Sequence, residues 1–102
     1  MNLLITQQAH EELREAVRYY AGISPELGIR FYREMEQVIN EIGDRPHLFR
    51  EFEAPARRLF SDRFPYCVVY SIEADRPCIM AVMRLAREMR YLSLETGIKL
   101  TH

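Results

Sequence analysis

The feature that most restricts this chain is the pair Ser24-Pro25, set between two stretches whose apolar residues recur at helical spacing. Ser24 can accept from the free N–H groups of a new helix, and Pro25 suits the first helical position, where its missing N–H costs nothing. Upstream, Ala9, Leu13, Ala16, Val17 and Tyr20 lie at offsets of 4, 7, 8 and 11 from the first, which places them on one stripe. Glu11, Glu12, Arg14, Glu15 and Arg18 fall mostly outside it. Downstream, Leu27, Phe31, Met35, Val38 and Ile42 repeat at spacings of four and three, Ile39 widens the stripe, and Gly43 stands where a left-handed C-cap is expected. Two amphipathic helices joined this tightly fold as an antiparallel hairpin with both stripes on one core.

The flanking segments supply a sheet for the hairpin to cover. Residues 2–6 carry Leu3, Leu4 and Ile5 and end at Thr6, a residue that caps helices, so they read as a short strand. Residues 43–56 hold Gly43, Asp44, Pro46 and Pro55 without a sustained period, an irregular connection that Leu48, Phe49 and Phe52 pin to the core. Three strand-like runs follow, residues 57–60, 66–72 and 78–85, separated by turn-rich pieces at 61–65 and 73–77. In the middle run Tyr66, Val68, Tyr70 and Ile72 share one face, and Cys67, Val69 and Ser71 the other. A hairpin turn at 73–76 sets Ile72 opposite Pro77 and Cys67 opposite Val82 rather than Cys78, so the two cysteines are expected as reduced thiols. Residues 86–95 suit a short third helix, and residues 97–102 a frayed end. The expected fold is α+β: an N-terminal strand, an antiparallel helical hairpin packed on a mainly antiparallel four-stranded sheet, and a short C-terminal helix.

A chain of 102 residues suits one core, so residues 1–102 are expected to form a single domain. The balance of 48% hydrophobic and 28% charged residues excludes a disordered or collagen-like chain. No apolar run approaches the roughly 18 residues of a membrane span, and residues 1–6 are too short for a signal peptide, which points to the cytoplasm and away from membranes. His10, His47 and His102 are scattered, the cysteines form no C-x-x-C pair, and the glycines at 22, 28, 43 and 97 make neither a P-loop nor a G-x-G-x-x-G. Neither a metal nor another cofactor is expected.

Charge is divided unevenly. Residues 1–44 hold four basic and eight acidic side chains, a net of −4, and residues 45–102 hold ten basic and seven acidic, a net of +3. Nine of those ten are arginine, the side chain shaped for bidentate contact with phosphate or carboxylate. Arg57 and Arg58 open one strand and Arg84 closes another. Arg87, Arg90 and Tyr91 follow at offsets of three and four, which places them together on a helix. Such a set can grip phosphate oxygens beside a stacking ring, or receive the acidic side chains of a protein. It serves equally to cover sheet edges with arginine stems.

Several stretches resemble the ParE/RelE superfamily of toxins from bacterial type II toxin–antitoxin modules. Residues 9–20 (AHEELREAVRYY), 25–34 (PELGIRFYRE) and 42–49 (IGDRPHLF) are similar to its two helices and the loop after them, and Arg57 and Arg58 with FPYCVVY at 64–70 to its next strands. IMAV at 79–82 is similar to its last strand, so the likeness spans nearly the whole chain. The ParE-like branch is favoured. Many of its members follow this last strand with a histidine, an arginine, a proline and an aromatic pair. Here Ala81, Val82, Arg87 and Tyr91 match, while Arg84 replaces the histidine, Met89 the proline and Leu92 the tryptophan.

The resemblance implies a toxin held in a heteromeric complex by a cognate antitoxin and, when free, inhibiting growth by binding a macromolecular target, DNA gyrase favoured. It also implies a role in plasmid stabilization. Arg57, Arg58, Arg84, Arg87, Arg90 and Tyr91 are the candidate target-binding residues. The alternative is a metal-independent, ribosome-dependent mRNA endoribonuclease of RelE type with Arg58, Arg84, Arg87 and Tyr91 as the catalytic candidates. Such chemistry must deprotonate a 2′-OH and protonate a leaving oxygen, and Tyr91 is the one acid or base near these arginines. Its ordinary pKa of about 10 suits neutral-pH base work poorly. A second alternative, prompted by Arg84, Met89 and Leu92, is a non-toxic relative that retains only antitoxin binding.

Overall fold

A computed structural model describes residues 3–85. In chain order they form β1 (Leu4–Ile5), α1 (Gln7–Ile23), α2 (Pro25–Asp44), β2 (Glu51–Glu53), β3 (Ala56–Phe60), β4 (Tyr66–Glu73) and β5 (Arg76–Arg84). The sheet order is β1-β5-β4-β3-β2, with β1 parallel to β5 and every other pair antiparallel. The expected α+β architecture is present. The sheet has a fifth strand, the three-residue edge β2, in a stretch whose Glu-Phe-Glu sequence carries no apolar period. The expected helix over 86–95 lies outside the described residues.

Both helix starts are made by the expected residues. Thr6 Oγ1 accepts from the Ala9 N–H at 3.1 Å, and Ser24 Oγ from the Leu27 N–H at 3.1 Å. Ser24 also closes α1, donating its own N–H to the Tyr20 carbonyl at 3.1 Å, so one residue ends one helix and begins the next. A Cβ placed on Gly28 would meet Ala21 Cβ at 2.8 Å and Ala21 Cα at 2.9 Å. Close approach of the two helices therefore requires glycine there. Gly43 remains helical, and the C-cap falls instead on Arg45, whose N–H donates to the Glu41 carbonyl at 2.9 Å.

The core lies between the hairpin and one face of the sheet. Ala9, Ala16 and Tyr20 of α1 and Phe31, Met35, Val38 and Ile42 of α2 meet Tyr66, Val68, Tyr70, Ile79 and Val82. At its centre the rings of Tyr20, Phe31, Phe64 and Tyr66 pack with centroids 4.8 to 6.2 Å apart. Of the residues expected to pin the 43–56 connection, Phe49 is buried, whereas Leu48 is 60% and Phe52 39% exposed. That connection is held instead by Tyr70 Oη, which donates to the Pro46 carbonyl at 2.6 Å, and by Arg57, described below.

The β4–β5 turn centres on Ala74 and Asp75, both at positive φ (52° and 65°), as a two-residue type I′ hairpin demands. Ile72 pairs with Pro77 as expected. The register then shifts: Val69 pairs with Ala81 and Tyr70 with Ile79, which leaves Met80 as an extra residue in β5. Cys67 consequently faces Met83 and not Val82. Both cysteines are free thiols.

Candidate binding surfaces

β1 flanks β5 only at Cys78 and Ile79, so the outer edge of β5 past that point has no strand beside it, and α1 with its cap satisfies backbone groups there. Thr6 donates its N–H to the Ile79 carbonyl at 3.0 Å and its hydroxyl to the Met80 carbonyl at 3.3 Å. Glu12 Oε1 accepts from the Val82 N–H at 2.8 Å. The end of β5 is thus fastened to α1 two residues before Arg84.

Arg84 is exposed on the hairpin side of the sheet, paired in register with Tyr66. Its guanidinium carbon stands 5.8 Å from the centroid of the Tyr19 ring. Burial pushes the Tyr66 phenol up, Arg84 pulls it part of the way back, and Tyr19 adds a smaller push up. Tyr19 is 53% exposed. Sequence reading missed it as a companion of Arg84; its place outside the apolar stripe of α1 is the signal that it faces solvent.

Arg57 also lies on the hairpin side, half-buried, and Nη1 donates to the Phe49 carbonyl at 2.6 Å. Its guanidinium therefore ties the 45–50 connection to the sheet. Tyr70, the register partner of Arg57, is pushed up to about 12 by burial, with Arg57 opposing the rise.

Arg58 points to the opposite side, as its neighbour in a strand must. Its guanidinium carbon lies 4.1 Å from the centroid of Phe52 and 5.3 Å from that of Phe60, a planar cation held against two rings. Phe52, missed as a site residue, is legible only once β2 is known to pair beside Arg58. The Cys67 thiol on this side is pushed up to about 11 by burial, against which Arg58 acts.

The described arginines do not form one cluster. Arg58 is on the other face from Arg57 and Arg84, and the register places the latter two roughly 16 Å apart along and across the sheet. Arg87, Arg90 and Tyr91 lie outside the described residues. The phenols near Arg57 and Arg84, Tyr70 and Tyr66, are both raised, opposite to what a neutral-pH base requires. Among the described residues no three of His, Cys, Asp and Glu group as a metal site would need, and no helix is long and apolar enough to cross a membrane.

A separate apolar groove of about 480 Å³ runs where β1 meets the hairpin. Leu3, Ile5, Leu13, Val17, Tyr32 and Ile39 line it, with His10, Arg14, Glu36 and Asn40 contributing polar groups. Leu3, Ile5, Leu13, Val17 and Ile39 pack partly against the core, so the groove has a fixed floor.

A family model described as "ParE toxin of type II toxin-antitoxin system, parDE" matches residues 3–90. Among solved structures, one titled "Chromosomal ParDE TA system from P. aeruginosa" superposes with a TM-score of 0.69 at 17% identity, covering 84% of this chain and 97% of that one. At that identity the likeness is one of fold. No curated protein matches in sequence.

Proposed function

The chain belongs to the ParE toxin family of type II toxin–antitoxin systems, and on that premise we propose that it is a module's toxin, neutralised by a cognate antitoxin and, when free, inhibiting growth by binding DNA gyrase. The family match across residues 3–90 carries this reading. The apolar groove between β1 and the hairpin supports it, since an antitoxin segment with a few apolar anchors can bury them there. Target binding is assigned to Arg57, Arg58, Arg84, Arg87, Arg90 and Tyr91. Of the described three, Arg84 is the most exposed, while Arg57 and Arg58 have guanidiniums engaged by the Phe49 carbonyl and by the Phe52 and Phe60 rings. Binding is favoured over RNA cleavage because the phenols beside Arg57 and Arg84 are shifted further above neutral pH and stay protonated there.

Induced expression of the free chain in bacteria tests the proposal. Expected are growth arrest, relief by the antitoxin from the adjacent reading frame, and intact messenger RNA ends during arrest. Ribosome-dependent message cleavage would replace the proposal with the endoribonuclease reading. Tight antitoxin binding without arrest would replace it with the non-toxic one.

A further inference from the structure

Two large side chains stand exposed on one outer face of α1, beside the end of β5. Tyr19 is 53% and Ile23 60% exposed, and at a spacing of four residues they are neighbours on the helix surface. Tyr19 meets the buried Tyr20 edge-on, with centroids 5.0 Å apart and planes at 78°, and the Arg84 guanidinium carbon stands 5.8 Å from the Tyr19 centroid. No carboxylate among the described residues pairs with Arg84. The frame around these side chains is fixed from both sides. Glu12 holds the Val82 N–H, and the Pro65 carbonyl accepts from the Leu85 N–H at 2.8 Å, so Arg84 is bracketed. Pro65 belongs to a turn that one oxygen of Glu34 ties to α2, accepting from the Ser61 hydroxyl at 2.7 Å and the Asp62 N–H at 3.0 Å. An exposed ring, an exposed aliphatic side chain and an unmatched cation on such a frame lose little freedom when a partner closes over them.

We propose that Tyr19, Ile23 and Arg84 form one docking surface for a protein segment that sets a carboxylate on Arg84 and an apolar side chain over Tyr19 and Ile23. The local charge selects a protein over a nucleic acid. Exposed charges beside Arg84 balance in sign, Glu15 against Arg18 on α1 and Asp62 against Arg63 on the turn, which leaves Arg84 as the single excess cation. A lone carboxylate finds that one charge, whereas a phosphate backbone needs a run of cations. Ile23 offers an apolar flank and no ring on which a base could stack. This surface gives Arg84 its neighbours in target binding, and in that use it rests on the reading of gyrase as the target.

Binding of the full-length free chain to purified, DNA-free gyrase, measured by surface plasmon resonance, tests the proposal. The wild-type chain is expected to bind without DNA. Tyr19→Ala, Ile23→Ser and Arg84→Ala should each weaken binding by roughly tenfold or more, while Tyr19→Phe, which keeps the ring, should bind nearly as the wild type does. Tyr19→Ala combined with Arg84→Ala should lose less than the product of the two single effects, as neighbours on one surface do. Leu48→Ser, at a position as exposed as Ile23 but in the 45–50 connection, should leave binding unchanged. Ile23→Ser, at the last residue of α1, carries the test if Tyr19→Ala lacks native circular dichroism. Unchanged affinity in folded Tyr19→Ala and Ile23→Ser overturns the proposal and leaves the gyrase reading standing. Binding only when DNA is present overturns it in favour of a nucleic-acid contact. No binding by the wild-type chain overturns the gyrase reading and the use of this surface with it.

Discussion

The carboxylate of Glu12, on the second turn of α1, accepts the Val82 backbone N–H at 2.8 Å across a sequence separation of 70 residues. Val82 is paired with Val68 on its β4 side but lies beyond the end of β1, which pairs with β5 only at Cys78 and Ile79, and the bond fixes the strand end from which Arg84 projects. Glu12→Ala strands a buried donor and is expected to cost about 1 to 3 kcal/mol, whereas Glu12→Gln keeps an acceptor and should cost less than about 1 kcal/mol. Urea denaturation of the two variants checks this. Equal losses would show that the carboxylate contributes something other than acceptance.

Gly28 and Gly22 form a matched pair. A Cβ at Gly28 runs into Ala21, including its backbone, while one at Gly22 meets nothing within 4 Å. Gly28→Ala is therefore expected to destabilise by about 1 to 3 kcal/mol through forced separation of the helices. Gly22→Ala should stabilise by up to about 1 kcal/mol through helix propensity. Thermal melts of the two single variants should shift in opposite directions.

The parts of this fold that were legible in the sequence are those written in local chemistry. Ser24-Pro25 and Thr6 mark helix starts because a cap depends only on its own residue and the next three. The alternation from Tyr66 to Ile72 marks the buried face of β4 because one side chain in two must find the core. The bulge at Met80 was illegible for the opposite reason: β5 is apolar on both faces, so a slip of one residue leaves no trace in the pattern. Phe49 and Leu48 look alike in sequence, and only the path of the connection, set by Tyr70 and Arg57 from distant strands, decides that one is buried. The arginines were legible as strand-end residues. Their separation follows from strand parity for Arg57 and Arg58, and from pairing register for Arg57 and Arg84.

Alkaline pH should weaken the fold. Cys67 is raised to about 11 from its ordinary 9.0 by burial, so the folded chain holds its proton through a range in which the unfolded chain releases it. Stability from this group is complete below pH 9 and is lost as pH rises from 9 to 11, by about 2 to 3 kcal/mol. Tyr70, raised to about 12 from 10.0, extends the loss in the same direction at higher pH. Denaturant titrations at pH 7, 9 and 10.5 should show the decline, and Cys67→Ala should flatten it between 9 and 11. A decline identical in the variant would assign it to other groups.

Inhibition of DNA supercoiling by purified gyrase, titrated with the free chain, tests the central claim most directly. The chain should inhibit supercoiling, and Arg84→Ala should weaken inhibition by roughly tenfold or more, the scale of a lost charge-assisted contact, with its circular dichroism and melting temperature unchanged. Undiminished supercoiling at saturating wild-type protein, or equal inhibition by Arg84→Ala, would contradict the account.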